Sequence, residues 1–162
     1  MKQIFLTLIL LMISFSTFGQ LPAVTVKNID GKSIKTDTLS NNCKPYVISF
    51  FALWCKPCLR ELNAISEVYD DWQKETGMKI YAVSIDDGQN ADRVAPLING
   101  YGWKYDVLLE VNKEFMRSMN VSLIPCLFIM DENNKIVKRK TSYTDGSEEM
   151  IIDEIKRLLK KN

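Results

Sequence analysis

The sequence predicts an α/β fold: a central mixed β-sheet flanked by helices, with an N-terminal β-hairpin and an inserted helix. Three observations carry that prediction. Two continuous apolar runs, Tyr46-Val47-Ile48-Ser49-Phe50-Phe51 and Ile80-Tyr81-Ala82-Val83-Ser84-Ile85, have the length and composition of strands covered on both faces. Between them, Cys58 to Gln73 repeats with a helical period. Later, Lys135-Ile136-Val137-Lys138 alternates after Asn133-Asn134, as a half-exposed antiparallel strand does.

At 162 residues, 46% of them hydrophobic and 25% charged, the chain has room for one globular domain and a targeting segment. Residues 1–19 read as a secretory signal peptide. Met1-Lys2-Gln3 precedes an apolar stretch from Ile4 to Phe15, and Ser16-Thr17-Phe18-Gly19 supplies small residues suited to cleavage near Gly19. The second reading is an uncleaved membrane anchor, although the stretch falls short of the roughly 20 residues that span a bilayer. Residues 20–162 then form the domain, in the periplasm or otherwise exported. Export places the four cysteines where disulfides form and persist.

From Ala23 to Lys35, two β-prone runs flank Asp30-Gly31, a dipeptide whose tolerance of positive φ predicts a tight hairpin. The strand Tyr46 to Phe51 leads directly into the cysteine pair. On the helix beyond it, Leu62, Ile65, Val68, Tyr69 and Trp72 share one side when each residue turns by about 100°. Arg60, Asn63, Ser66, Glu67, Asp70 and Lys74 take the other, and the helix ends near Gly77. Asp86-Asp87-Gly88-Gln89-Asn90 closes the next strand, and a helix over Ala91 to Asn99 follows. Trp103 to Glu110 reads as weakly structured and Glu114 to Met119 as a short helix, after which Pro125 introduces the strand Cys126 to Met130. Asp145, with Glu148 three residues on, predicts a capped final helix whose apolar face is Met150, Ile151, Ile155, Leu158 and Leu159. After the hairpin the order is β, α, β, α, β, β, α.

The chemistry concentrates at Trp54-Cys55-Lys56-Pro57-Cys58. Two cysteines separated by two residues, at a strand-to-helix junction, can close and reopen a small ring. Cys55 precedes the helix, where unpaired N–H groups, the helix dipole and nearby Lys56 favour its thiolate. Pro57 fits the first helical turn, where its missing N–H costs no hydrogen bond. Cys58, one turn inward, is then the shielded, resolving thiol. A permanent disulfide, or half of a metal site, is the structural alternative; the activated spacing and the lack of a second paired motif favour exchange. Glu61 falls within the arc of Cys58, Ile65 and Val68, so its carboxyl is expected below the cysteine pair, where burial raises its pKa and lets it take a proton from Cys58. An ordinary glutamate snorkelling to solvent is the competing reading.

Phe50 to Glu61, together with Val121-Ser122-Leu123-Ile124-Pro125 and Asp131-Glu132-Asn133-Asn134-Lys135-Ile136-Val137, resembles the TlpA/ResA-like thioredoxin-fold thiol–disulfide oxidoreductases over nearly the whole chain after residue 19. The resemblance implies a thioredoxin-like fold. It implies that Pro125 is a cis-proline lying against Cys55, and that Ile124 offers backbone groups to an extended substrate strand, with Trp54 and Pro57 beside it. It also implies that Glu61 is the family's buried acid, and that Asp87 to Gly102 holds the extra helix of these proteins. Two positions depart from the pattern. Ser49 stands where thioredoxins carry a buried aspartate, which leaves any proton relay to Glu61. Cys126 replaces the usual threonine or serine after the cis-proline; it reads as a compact buried filler, with a reactive thiol as the alternative. Cys43 lies in the polar loop Asn41-Asn42-Cys43-Lys44 with nothing nearby to activate it, and a Cys43–Cys126 disulfide stays open.

Other functions are disfavoured. Twenty-one basic and 20 acidic residues leave a net charge of +1, so no long-range field draws the chain to nucleic acid. The chain has no histidine, which removes imidazole from metal ligation and base catalysis, and with it the Sco-type copper-chaperone reading. A peroxiredoxin-like peroxidase needs a threonine or serine three residues before its reactive cysteine, and Ala52 stands there. A non-enzymatic binding or structural role would be signalled by loss of an active cysteine, and both are present. The Cys55–Cys58 pair points to thiol–disulfide exchange without a cofactor, and the family resemblance leans toward reduction of disulfides in exported proteins, including those awaiting covalent haem. The same resemblance implies a membrane or periplasmic electron donor, and membrane contact is expected only if the N-terminal segment stays uncleaved.

Overall fold

The computed structural model of the chain describes residues 21–161. The proposed signal peptide and its cleavage site lie outside them, and no helix among the described residues is long and apolar enough to cross a membrane. Among the described residues seven strands form one mixed sheet in the order β2-β1-β5-β4-β3-β6-β7. The strands are β1 Thr25–Asn28, β2 Ser33–Lys35, β3 Tyr46–Phe51, β4 Lys79–Ser84, β5 Asp106–Leu109, β6 Cys126–Met130 and β7 Ile136–Thr141. The helices are α1 Lys56–Thr76, α2 Gly88–Ala91, α3 Val94–Tyr101, α4 Glu114–Ser118 and α5 Glu149–Lys161, with a 3-10 turn at Thr36–Thr38.

The apolar run of β3 is explained by its place. It pairs parallel with β4 on one side and antiparallel with β6 on the other, and all six of its residues are buried. Both faces being covered, alternation would put a polar side chain into the core. Helix α1 buries Cys58, Glu61, Leu62, Ile65, Tyr69, Trp72 and Thr76, and packs with α5 and β3. It stops at Gly77, whose φ of 67° is left-handed backbone that glycine adopts without strain.

Four expectations need correction. Trp103 to Glu110 is not weakly structured: β5 runs parallel to β4 and antiparallel to β1, which joins the hairpin to the main sheet. The strand is too short for its own period to be visible, and pairing on both sides stabilises it. The helix expected over Ala91 to Asn99 is two helices. Pro96 would remove a hydrogen bond inside the longer helix, but in the first turn of α3 the missing N–H costs nothing. In the hairpin only Gly31 has positive φ, 81°, and the Asn28 side chain accepts the Asp30 and Lys32 N–H groups, so the turn is organised by Asn28 rather than by Asp30-Gly31 alone. Asp145 does not cap α5. The chain turns tightly over Thr144 to Ser147, with Gly146 left-handed; the Tyr143 hydroxyl donates to Glu148, and the helix begins at Glu149.

Candidate active site

Ser84 ends β4 and Phe51 ends β3 side by side, and the Ile85 N–H donates to the Phe51 carbonyl at 2.9 Å. The chain then turns through Ala52 to Trp54, and the Cys55 N–H donates to the Ala52 carbonyl at 3.0 Å. Cys55 is the N-cap of α1, and its Sγ accepts the Cys58 N–H at 3.3 Å, a side-chain acceptor at one of the orphan amides of the first turn. Pro57 occupies the first turn as expected. Cys55 and Cys58 form a disulfide, with Cα atoms 5.3 Å apart. Cys55 keeps 5% of its surface and Cys58 1%, so the first is the more accessible sulfur. Trp54 beside it is 65% exposed, and Leu123, two residues before Pro125, is 74% exposed.

The Ile124–Pro125 bond is cis. Phe50 pairs with Cys126, so the same register carried one residue further sets Pro125 opposite Phe51, at the end of β3 from which the cysteine loop departs. The Pro125 carbonyl accepts the Ser142 N–H, whereas neither the N–H nor the carbonyl of the half-buried Ile124 takes a backbone partner among the described residues.

Glu61 is buried, 1% exposed, on the same face of α1 as Cys58. The snorkelling alternative therefore fails. Its Oε1 accepts a hydrogen bond from Lys140 Nζ at 2.6 Å, and Oε2 has no partner among the described residues. Burial pushes the Glu61 carboxyl above the usual range, and the Lys140 hydrogen bond and charge pull against it. Lys140 was missed by sequence reasoning, which ended the strand at Lys138. The strand in fact continues to Thr141, and nothing local distinguishes Lys140 from exposed Lys138 on the same face. Ser49 pairs with Leu127, and Leu127 with Lys140, so these three side chains form a row on the face that α1 covers. The Ser49 hydroxyl is buried in that row without a partner among the described residues.

Asp86 was also missed, having been read as part of a polar stretch that ends a strand. It is 2% exposed; its Oδ2 accepts the Leu53 N–H and the Ser84 hydroxyl, both at 2.9 Å. This carboxylate ties the end of β4 to the loop that delivers Trp54 and Cys55.

The remaining cysteines are free. Cys126 pairs with Phe50 and Thr141, so its side chain lies on the face opposite Glu61, where Phe115 of α4 packs on Phe50 with centroids 5.3 Å apart. Burial pushes its thiol up, opposed by Arg139. Cys43 is exposed at the other end of β3. Strand rise puts those ends roughly 20 Å apart, beyond the reach of a disulfide.

A mixed sheet, a helix N-capped by one cysteine of a disulfide and a cis-proline at the neighbouring strand define a thioredoxin-like protein with a redox-capable dithiol. Residues 19–139 match the family model described as AhpC/TSA, and the chain belongs to that family. It is similar to relatives named thiol-disulfide oxidoreductase ResA. That of Bacillus anthracis is 30% identical over 118 residues, 73% of this chain and 65% of the relative, and that of Bacillus subtilis strain 168 is 27% identical over 125 residues, 77% and 67%. The chain thus spans about two thirds of the length of these relatives. Among solved structures, a thioredoxin-like protein from Porphyromonas gingivalis is 57% identical with a TM-score of 0.79, covering 91% of this chain and 96% of its own. A putative thiol:disulfide interchange protein DsbE from Chlorobium tepidum shares the fold at 18% identity, TM-score 0.73, covering 86% and 95%.

Proposed function

We propose that this chain is an exported thiol–disulfide oxidoreductase that reduces disulfides in exported proteins. The observation that carries the reading is the Cys55–Cys58 disulfide at the N-terminus of α1, with Cys55 as its N-cap. In the reduced protein the Cys55 thiolate attacks one sulfur of a substrate disulfide, forming a mixed disulfide and releasing one substrate thiolate. Cys58 then loses its proton to Glu61 and attacks Cys55. The Cys55–Cys58 bond forms, the second substrate thiolate leaves, and two electrons have passed to the substrate. A membrane or periplasmic donor of thiol electrons restores the dithiol; no cofactor enters.

The likeness to ResA-named relatives supports the activity, and the residues add detail. The N–H and carbonyl of Ile124, without a backbone partner among the described residues, suit an extended substrate strand, and exposed Trp54 and Leu123 suit its apolar side chains. Ala52 offers no hydroxyl at the place where a peroxidase holds peroxide, which favours exchange over a peroxidase reading. Export rests on the reading of residues 1–19, and apoproteins awaiting covalent haem are one substrate class that the family resemblance suggests.

The deciding experiment is the reduction potential of the protein, followed by Trp54 fluorescence across dithiothreitol and glutathione buffers with Cys55→Ser as control. A two-electron transition near about −270 mV fits a reductant and one near about −120 mV an oxidant. A protein with no Cys55-dependent transition is not an oxidoreductase.

A further inference from the structure

The Glu61–Lys140 contact joins the first helix to the last strand of the sheet, across 79 residues of sequence. Lys140 is on an edge strand whose other cations, Lys138 and Arg139, are exposed, yet only 14% of its side chain reaches solvent. A lysine on an edge strand ordinarily points outward and guards against edge pairing. This one turns in, its Nζ 5.1 Å from the centre of the Tyr143 ring and 2.6 Å from Glu61 Oε1.

We propose that Lys140 is a positioning residue of the exchange reaction, its ammonium charge on Oε1 keeping Glu61 an ionised base whose Oε2 is the oxygen left to take the proton of Cys58. The proposal rests on the reading of Cys58 and Glu61 given above. The groups facing Glu61 are Lys140 from β7, Glu148 and Tyr143 from the segment before α5, Tyr105 just before β5, and Cys58 on its own helix, with Cys126 of β6 on the other face of the sheet. Glu148 opposes ionisation of Glu61. Lys140 is the cation in hydrogen-bond contact, and it makes an ionised carboxylate tenable beneath the disulfide.

The two chemical steps separate with Ellman's reagent, an aromatic disulfide. Attack by Cys55 releases one thionitrobenzoate and leaves the other on Cys55; attack by Cys58 releases the second. Both appear in the absorbance trace of a stopped-flow experiment on reduced protein.

For Lys140→Met, the first release keeps the native rate. The second slows about tenfold at pH 7, because an opposite charge at this range moves a carboxyl by about one pH unit or more, and its rise with pH moves upward accordingly. Lys140→Gln, which keeps a donor without the charge, behaves alike, and Lys140→Arg restores the native profile. In a Glu61→Gln background, Lys140→Met adds no further slowing. Thermal unfolding of each oxidised variant is measured first, and Lys140→Gln carries the test if the Met variant does not fold. A native pH profile for the second release in the uncharged variants overturns the proposal, as does equal slowing by Lys140→Met with and without Glu61. A second release unaffected by Glu61→Gln instead removes Glu61 from the mechanism, a different failure.

Discussion

The Leu53 N–H donates to Asp86 Oδ2 at 2.9 Å, so a carboxylate at the end of β4 holds the loop through which β3 reaches Cys55. Ser84 donates to the same oxygen and accepts the Asp86 N–H, locking the carboxylate in place. Cys55 therefore takes its position from two adjacent parallel strands.

Removing that acceptor leaves a part-buried amide without its partner. Asp86→Ala is expected to lower the stability of the oxidised protein by about 1–3 kcal/mol, the cost of an unsatisfied buried donor. Urea unfolding measures it. Ser84→Ala, which leaves Leu53 its acceptor, should cost less; equal losses would mean that the Leu53 contact contributes nothing of its own.

The raised Glu61 carboxyl has a pH signature. A group whose folded pKa lies above its unfolded value contributes stability that is present below the unfolded pKa and lost as pH rises through the folded one. The difference in unfolding free energy between Glu61→Gln and the native chain should therefore shift in favour of the variant from about pH 4 upward, by about 1.4 kcal/mol for each unit by which burial raises the carboxyl. Glu110, whose buried carboxyl is pushed up in the same way, is common to both proteins and cancels. A difference that stays flat between pH 4 and 8 contradicts the raised value.

Cys58→Ser retains the attacking sulfur and loses the resolving one. It should accumulate a covalent adduct with disulfide-containing protein substrates, visible on non-reducing gels and released by dithiothreitol, whereas Cys55→Ser forms none. Adducts through Cys58 in the Cys55→Ser protein would reverse the assigned roles.

Trp54 is largely exposed, so Trp54→Ala should change stability by less than about 0.5 kcal/mol. Its contact area is available to a large partner. Turnover of a protein disulfide should fall several-fold while reaction with Ellman's reagent stays near native. Equal loss with both substrates would place the effect on the cysteines instead.

The free cysteines differ in access. Iodoacetamide on the native oxidised protein should label exposed Cys43 and spare Cys126, whose thiol is buried and shifted up. Peptide mass spectrometry reads the sites, and ready labelling of Cys126 would mean that β6 opens.

The sequence by itself determined the elements whose signal is local. A fully apolar run becomes a doubly covered strand, a 3.6-residue period becomes α1 with Glu61 on its buried arc, and a two-residue spacing brings Cys55 and Cys58 within reach of each other. These depend on residues near one another in the chain, so composition and period suffice. The tertiary structure alone decided what depends on distant partners. Four residues at Asp106–Leu109 become a strand because β4 and β1 offer hydrogen bonds on both sides. Asp86 becomes a buried acceptor because the cysteine loop folds over it. Lys140 turns inward because α1 presents a buried carboxylate to the far edge of the sheet. A lysine or an aspartate in a polar run reads as solvated until the opposite charge or the unpaired amide that it meets is known, and only folding brings those together.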